Sequence, residues 1–111
     1  MPNLEKVSFE LQIFNHRAHF IQEKIIIVGG VDNSGSEVGI IVCDFSLETN
    51  EIRVLQRFSL QKHHPDIMLI NHTTHELENG DILIVGGGSN CFSFGTHFNS
   101  DCLKIKLSQL I

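Results

Sequence analysis

The sequence predicts an all-β fold, and three observations carry that prediction. Apolar, β-branched runs recur along the chain, each stopped by glycines or a polar turn. One segment alternates apolar and polar residues at the two-residue period of a strand. No stretch carries the 3.6-residue apolar period of a helix with recognisable ends.

In chain order, residues 7–14 (VSFELQIF) place Val7, Phe9, Leu11 and Ile13 on one face and Ser8, Glu10 and Gln12 on the other. Residues 24–30 (KIIIVGG) form a β-branched run ended by two glycines. Residues 31–39 (VDNSGSEVG) have turn chemistry. Residues 39–45 (GIIVCDF) and 51–56 (EIRVLQ) are further strands, joined by a tight turn at 47–50 (LETN). Residues 61–66 (QKHHPD) make a polar connection, with His63 and His64 in solvent and Pro65 outside any central strand. Residues 81–88 (DILIVGGG) repeat the earlier run-and-glycine device.

Internal repetition organises these elements. His16 and His19 precede the first glycine-ended run, as His72 and His75 precede the second. The histidine pairs are offset by 72 − 16 = 56 residues and the glycine pairs by 86 − 29 = 57. One residue is therefore inserted between them, in ELENGD relative to FIQEK. After the second glycine pair, DCLKIKL (101–107) corresponds to the strand around Phe45–Ile52 in the first. A repeat of strand, diglycine, strand, turn and strand is a twisted four-stranded sheet that cannot bury both faces alone. Stacked radially, such sheets become propeller blades, with glycines where a buried strand ends in a sharp turn.

Composition narrows the functions available. The 111 residues suit one small domain, and 41% of them are apolar, neither a disordered nor a membrane composition. No apolar run approaches the roughly 20 residues that span a bilayer. Eight Lys and Arg against 13 Asp and Glu give a net charge of −5, which argues against this chain alone gripping a nucleic-acid backbone. Cys43, Cys91 and Cys102 form no CxxC pair, and MPNLEKVSFE has no apolar secretory core. Reduced thiols in the cytoplasm are expected, and neither membrane nor metal is.

The histidine pairs, IIIVGG and LIVGGG, and the hairpin turning at ETN resemble kelch repeats. Phe45 and Ile52 stand where kelch repeats carry an aromatic residue and a tryptophan, so these repeats are degenerate. The resemblance covers residues 7–107. It implies an all-β fragment of a β-propeller, with about two kelch-type four-stranded antiparallel blades. Residues 7–14 would be an outer or edge strand, 16–58 the first repeat and 72–107 the second.

A narrower resemblance lies in GGGSNCFSFGTHFN, residues 86–99. It is similar to the C-terminal kelch region of the tRNA wybutosine-synthesizing protein 4 family, relatives of leucine carboxyl methyltransferases. That family joins an S-adenosyl-L-methionine-dependent methyltransferase domain to a kelch propeller. The resemblance implies a role in wybutosine formation on phenylalanine tRNA, through carboxyl methylation and methoxycarbonylation. No methyltransferase domain is expected within residues 1–111, since no glycine-rich loop after a strand opens a helix. The chain is expected to lack catalytic, cofactor-binding and metal residues of its own and to help position tRNA. The alternatives are a generic kelch module for protein–protein contact through its loops, or a gene fragment without function.

The individual candidates divide by chemistry. Gly29, Gly30, Gly86 and Gly87 terminate strands; a phosphate cradle would need a helix start after them, which CFSFGTHF does not supply. His16, His19, His72 and His75 are structural: residues i and i+3 of a strand point to opposite faces and cannot chelate together. Such histidines are expected to bond backbone groups. Cys91 with His97 has the residue types of a thiolate nucleophile and base, but no orienting acid is evident. Phe92, Phe94 and Phe98 suit core packing, or stacking on a base. Asn90, Cys91, Phe92, Phe94, His97 and Asn99 form the candidate contact loop. Lys104 and Lys106 share a solvated strand face. Two blades are too few to close a propeller of about four or more, and open blade faces favour pairing with other chains.

Overall fold

The computed structural model describes residues 3–14, 16–34, 38–59, 69, 72–86, 88–91, 95–98 and 102–111, and at 14, 88–91 and 95–98 the backbone alone. The chain folds as β1 (Ser8–Phe9), β2 (Ile13–Phe14), β3 (Arg17–Ile21), β4 (Lys24–Val28), β5 (Val31–Asp32), β6 (Ile40–Ser46) and β7 (Glu51–Phe58). The second repeat supplies β8 (His72–Glu76), β9 (Ile82–Gly86), β10 (Gly88–Cys91), β11 (Gly95–Phe98), β12 (Leu103–Ile105) and a 3₁₀ turn, η1 (Leu107–Gln109).

The first repeat makes a complete blade. Strands β3, β4, β6 and β7 pair antiparallel in chain order, and β1 adds to β7 in parallel. A two-residue turn joins β3 to β4, with Gln22 and Glu23 both at positive φ (50° and 64°). That geometry matches the twist of the flanking strands. Leu47–Asn50 turns the chain between β6 and β7, as LETN predicts, and Asn50 takes the positive φ (55°) that asparagine tolerates.

The unbroken apolar character of β4 and β6 has a direct cause: both are buried on both faces. Ile26, Val28, Ile40 and Val42 point into one core. Ile27, Ile41 and Cys43 point into another on the opposite side. The register of β6 on β7 shifts between Val42 and Cys43, where Gln56 and Val54 are their successive partners. Leu55 is the extra residue, half exposed at 51%. The bulge changes which face β7 buries. Ile52 and Val54 pack on the second core, whereas Phe58 packs on the first.

Residues 9–13 alternate as expected, Phe9, Leu11 and Ile13 lying against the second core while Glu10 and Gln12 are exposed, but Val7, expected on the same face, is exposed beside Ser8 and lies outside that core. Residues 7–14 are not one continuous strand. Ser8–Phe9 bonds to β7 and Ile13–Phe14 to β5, so the two ends follow different neighbours. The blade's second face thereby gains its apolar cover.

The second repeat forms the sheet β12–β9–β8, with three strands among the described residues. The hairpin β10–β11 is inserted between the second and third of them and pairs with itself. Ile82 and Ile84 face the first core, which lies between the two sheets and is closed by Leu69, Leu107 and Leu110. The residue inserted in ELENGD lengthens the β8–β9 turn. Gly80 there has φ 87°, and a Cβ on it would sit 2.6 Å from Leu107 Cδ2. Asp81 fastens the same turn to η1, its Oδ1 accepting from the Leu107 amide at 2.9 Å. The fold class is thus all-β, a β-propeller fragment of one full blade and the start of the next.

Candidate functional site

The seam between the two sheets holds the histidines. His72 begins β8 and is fully buried, and its Nε2 donates to the Val28 carbonyl at 3.0 Å. The carbonyl only accepts, which assigns the proton to Nε2 and leaves Nδ1 as a lone pair. That Nδ1 is buried with no partner among the described residues. Burial is the main effect pushing the imidazole pKa below its ordinary 6.5. The Val28 bond opposes that shift, while the charges of Arg17 and His16 add to it.

His19 reaches from mid-β3 to the second repeat, its Nε2 and Thr74 Oγ1 lying 2.6 Å apart in a hydrogen bond. His16, half-buried just before β3, keeps Nδ1 buried without a partner among the described residues. His75 is exposed on β8 opposite Leu83. The members of each pair therefore diverge. Among the described residues no three His, Cys, Asp or Glu side chains gather where they could hold a metal.

The first diglycine is built into the same seam. Gly29 and Gly30 have φ of 73° and 93°. The Gly29 amide donates to Gly39 O and the Gly30 amide to Leu69 O, both at 2.7 Å. A Cβ on Gly29 would lie 2.6 Å from His72 Cε1 and overlap Leu69. Gly86 has the same backbone twist, φ 70°, yet nothing lies within 4 Å of where its Cβ would be. Gly87 lies outside the described residues.

Leu69 is the seam residue that sequence reasoning missed. The signal was present three residues ahead of the histidine pairs. Ile13-Phe14-Asn15-His16 aligns with Leu69-Ile70-Asn71-His72 at the same offset, 69 − 13 = 56. The repeat begins earlier than the histidines alone indicate.

The candidate contact loop is a hairpin in its described part. Asn90 pairs with Thr96, Cys91 with Gly95 and Ser89 with His97. Cys91 and His97 thus stand two register steps apart rather than opposite each other. Phe92, Phe94 and Asn99 lie outside the described residues, as do His63, His64 and Pro65. Lys104 and Lys106 are exposed. A groove beside η1 is lined by Gln22, Asn79, Asp81 and Lys106, but the Asp81 carboxylate is already engaged by Asn79 and the Leu107 amide. Among the described residues no helix is long and apolar enough to cross a membrane.

An antiparallel four-stranded blade, bonded through buried histidine to a second sheet of the same repeat, defines a β-propeller fragment. The chain belongs to the family described as tRNA wybutosine-synthesizing protein 4, beta-propeller, which it matches over residues 3–101. It is similar to the tRNA wybutosine-synthesizing protein 4 of Homo sapiens, at 38% identity over 99 residues. It is similar also to that of Rattus norvegicus, at 39% over 99 residues. Each alignment covers 87% of this chain, and the chain spans 14% of either relative's length. No solved structure matches it.

Proposed function

We propose that this chain serves as a kelch-type propeller portion of a cytoplasmic tRNA-modifying methyltransferase in wybutosine biosynthesis. The observation that carries the reading is the family match over residues 3–101. Carboxyl methylation and methoxycarbonylation on phenylalanine tRNA belong, in this reading, to a methyltransferase domain of the full-length protein. S-adenosyl-L-methionine belongs there too. The described residues do not fit that cofactor, because Gly86 leads into the β10–β11 hairpin and not into a helix whose amides would face a ligand. The chain's own part is non-catalytic: it scaffolds or positions tRNA.

With a net charge of −5, contact with tRNA depends on stacking and hydrogen bonds more than on phosphate neutralisation. Phe92 and Phe94 are the stacking candidates, with Asn90, Cys91, His97 and Asn99 around them. The test is filter binding of phenylalanine tRNA to the 111-residue chain at low salt, with Phe92→Ala and Phe94→Ala beside it. Saturable binding that weakens several-fold in the variants is expected. Wild-type chain that retains no phenylalanine tRNA overturns the tRNA-positioning role. The acidic charge favours one second reading, a protein-contact module using the loops after each glycine pair. Capture of a specific protein by a chain that ignores tRNA would establish it.

A further inference from the structure

We propose that Asn79–Gly80 is a self-modifying turn: the Gly80 amide nitrogen displaces ammonia from the Asn79 side chain, and the carboxylate left at 79 unlatches η1 from the second sheet. The site lies in ELENGD, the stretch that carries the inserted residue of the second repeat, whereas the first repeat turns at Gln22 and Glu23. Asparagine followed by glycine favours this reaction because no Cβ shields the attacking nitrogen.

The fold arranges the reacting groups. Asn79 is exposed, so water and hydroxide reach it. Its Oδ1 accepts from the Asp81 amide and its Nδ2 donates to Asp81 Oδ2, both at 3.0 Å. One residue thus clamps the carboxamide at both ends. The bond from the Asp81 amide closes a ring of atoms that contains both Cγ of Asn79 and the nitrogen of Gly80. It also aims an N–H at the oxygen where negative charge develops. The Gly80 N–H itself donates to a neutral carbonyl, Leu77 O, at 2.9 Å. Asn33, followed by Ser34, has the opposite arrangement. The Ser34 amide donates to the Asp32 carboxylate at 2.9 Å, which resists its ionisation, and the Asn33 carboxamide donates to Gln12.

The step balances with water alone. Solvent base takes the Gly80 amide proton, the Gly80 N–Cγ bond forms, and the Cγ–Nδ2 bond breaks as ammonia leaves with a proton from water. Water then opens the cyclic imide, leaving either an aspartate or a β-linked residue whose backbone runs through Cγ. Both products strain the same latch. Asp81 Oδ1 accepts from the Leu107 amide at 2.9 Å, and Leu107 closes the first core. A carboxylate at 79 removes the donor that steadies Asp81 and sets a like charge in its place. The β-linked product adds a methylene to the backbone of a turn whose glycine already lies against Leu107.

Peptide mapping by mass spectrometry tests the step, after the 111-residue chain has been incubated at pH 8 either folded or in urea. Residue 79 is expected to gain acid faster than residue 33 in both states. The ratio of the two rates should be at least about tenfold larger in the folded chain, where the clamp acts. Asn79→Asp reproduces one product directly. Its Leu107 amide should exchange with deuterium at least about tenfold faster than in wild type, and about 1 M salt should restore most of the protection. Asn79→Ser, which loses the donor without adding charge, should fall between the two. A rate ratio no larger in the folded chain than in urea, or unaltered Leu107 exchange in Asn79→Asp, overturns the proposal.

Discussion

His72 and Val28 are both fully buried, and the imidazole Nε2 of one donates to the carbonyl of the other across 3.0 Å. They are separated by 72 − 28 = 44 residues, so the bond ties the second repeat to the first. The Val28 carbonyl sits where the central strand β4 ends and its glycines turn away. Without His72 it would be a buried acceptor lacking this partner, and such groups cost about 1–3 kcal/mol.

Stability should therefore depend on pH through His72. Burial favours its neutral form in the fold, whereas the unfolded chain titrates near 6.5. Below that value the unfolded state binds a proton that the fold resists, so stability falls as pH drops. The contribution is fully present above 6.5 and is gone once pH passes below the lowered native value. Urea midpoints between pH 7.5 and 5 should fall in wild type and fall less in His72→Gln, which keeps a donor for Val28. Parallel curves for the two proteins would show that His72 is not the responsible group.

The two diglycines should differ in sensitivity. Gly29→Ala meets a positive φ, costing about 1–2 kcal/mol, and an overlap with Leu69 and His72 costing about 1–3 more. Gly86→Ala meets only the φ cost, because the space above it is open. Chemical denaturation of both variants should place Gly29→Ala well below Gly86→Ala. Equal losses would mean that Leu69 and His72 yield without cost.

Much of this fold could be read from residues, and the limits have identifiable causes. Runs such as KIIIVGG report burial, so the strands and their glycine ends were legible. Burial on two faces was less so, because a run does not say what covers each side. For residues 7–14, alternation correctly grouped Phe9, Leu11 and Ile13 on one face. It was silent on hydrogen-bond partners, and the two ends pair with different strands. The bulge at Leu55 left no glycine or proline to mark it. At the seam, the repeated histidines were visible, but their separate fates were not: His72 is buried and His75 exposed. That difference arises from contacts across the seam, chiefly with Leu69, Gly29 and Val28.

The β3–β4 turn offers a stabilising change. Gln22 and Glu23 both occupy left-handed backbone (φ 50° and 64°), which costs ordinary residues about 1 kcal/mol or more each. Asn-Gly is the preferred pair for a two-residue turn of this kind. Gln22→Asn with Glu23→Gly should raise the melting temperature by about 4–8 °C, the shift about 1 kcal/mol produces in a domain of this size. An unchanged or lowered melting temperature would mean that the wild-type side chains make compensating contacts.

Cys43 gives a direct reading of how firmly residues 7–14 hold to the blade. Its thiol is fully buried in the second core, against which Phe9, Leu11 and Ile13 pack, whereas Cys102 is exposed. Burial pushes the Cys43 pKa above 9.0, and the carboxylates of Asp44 and Glu10 push the same way. A buried, protonated thiol is a poor nucleophile, so alkylation must await opening of the N-terminal cover. At pH 8 a variant whose only cysteine is Cys102 should label at the rate of a free thiol. One retaining only Cys43 should label at least about a hundredfold more slowly. Leu11→Ala removes part of the cover without touching the β-ladder, and should speed Cys43 labelling by about tenfold or more. Cys43 labelling as fast as Cys102 would show that residues 7–14 do not cover the blade in solution. An unaltered rate in Leu11→Ala would show that Cys43 is reached by global unfolding alone.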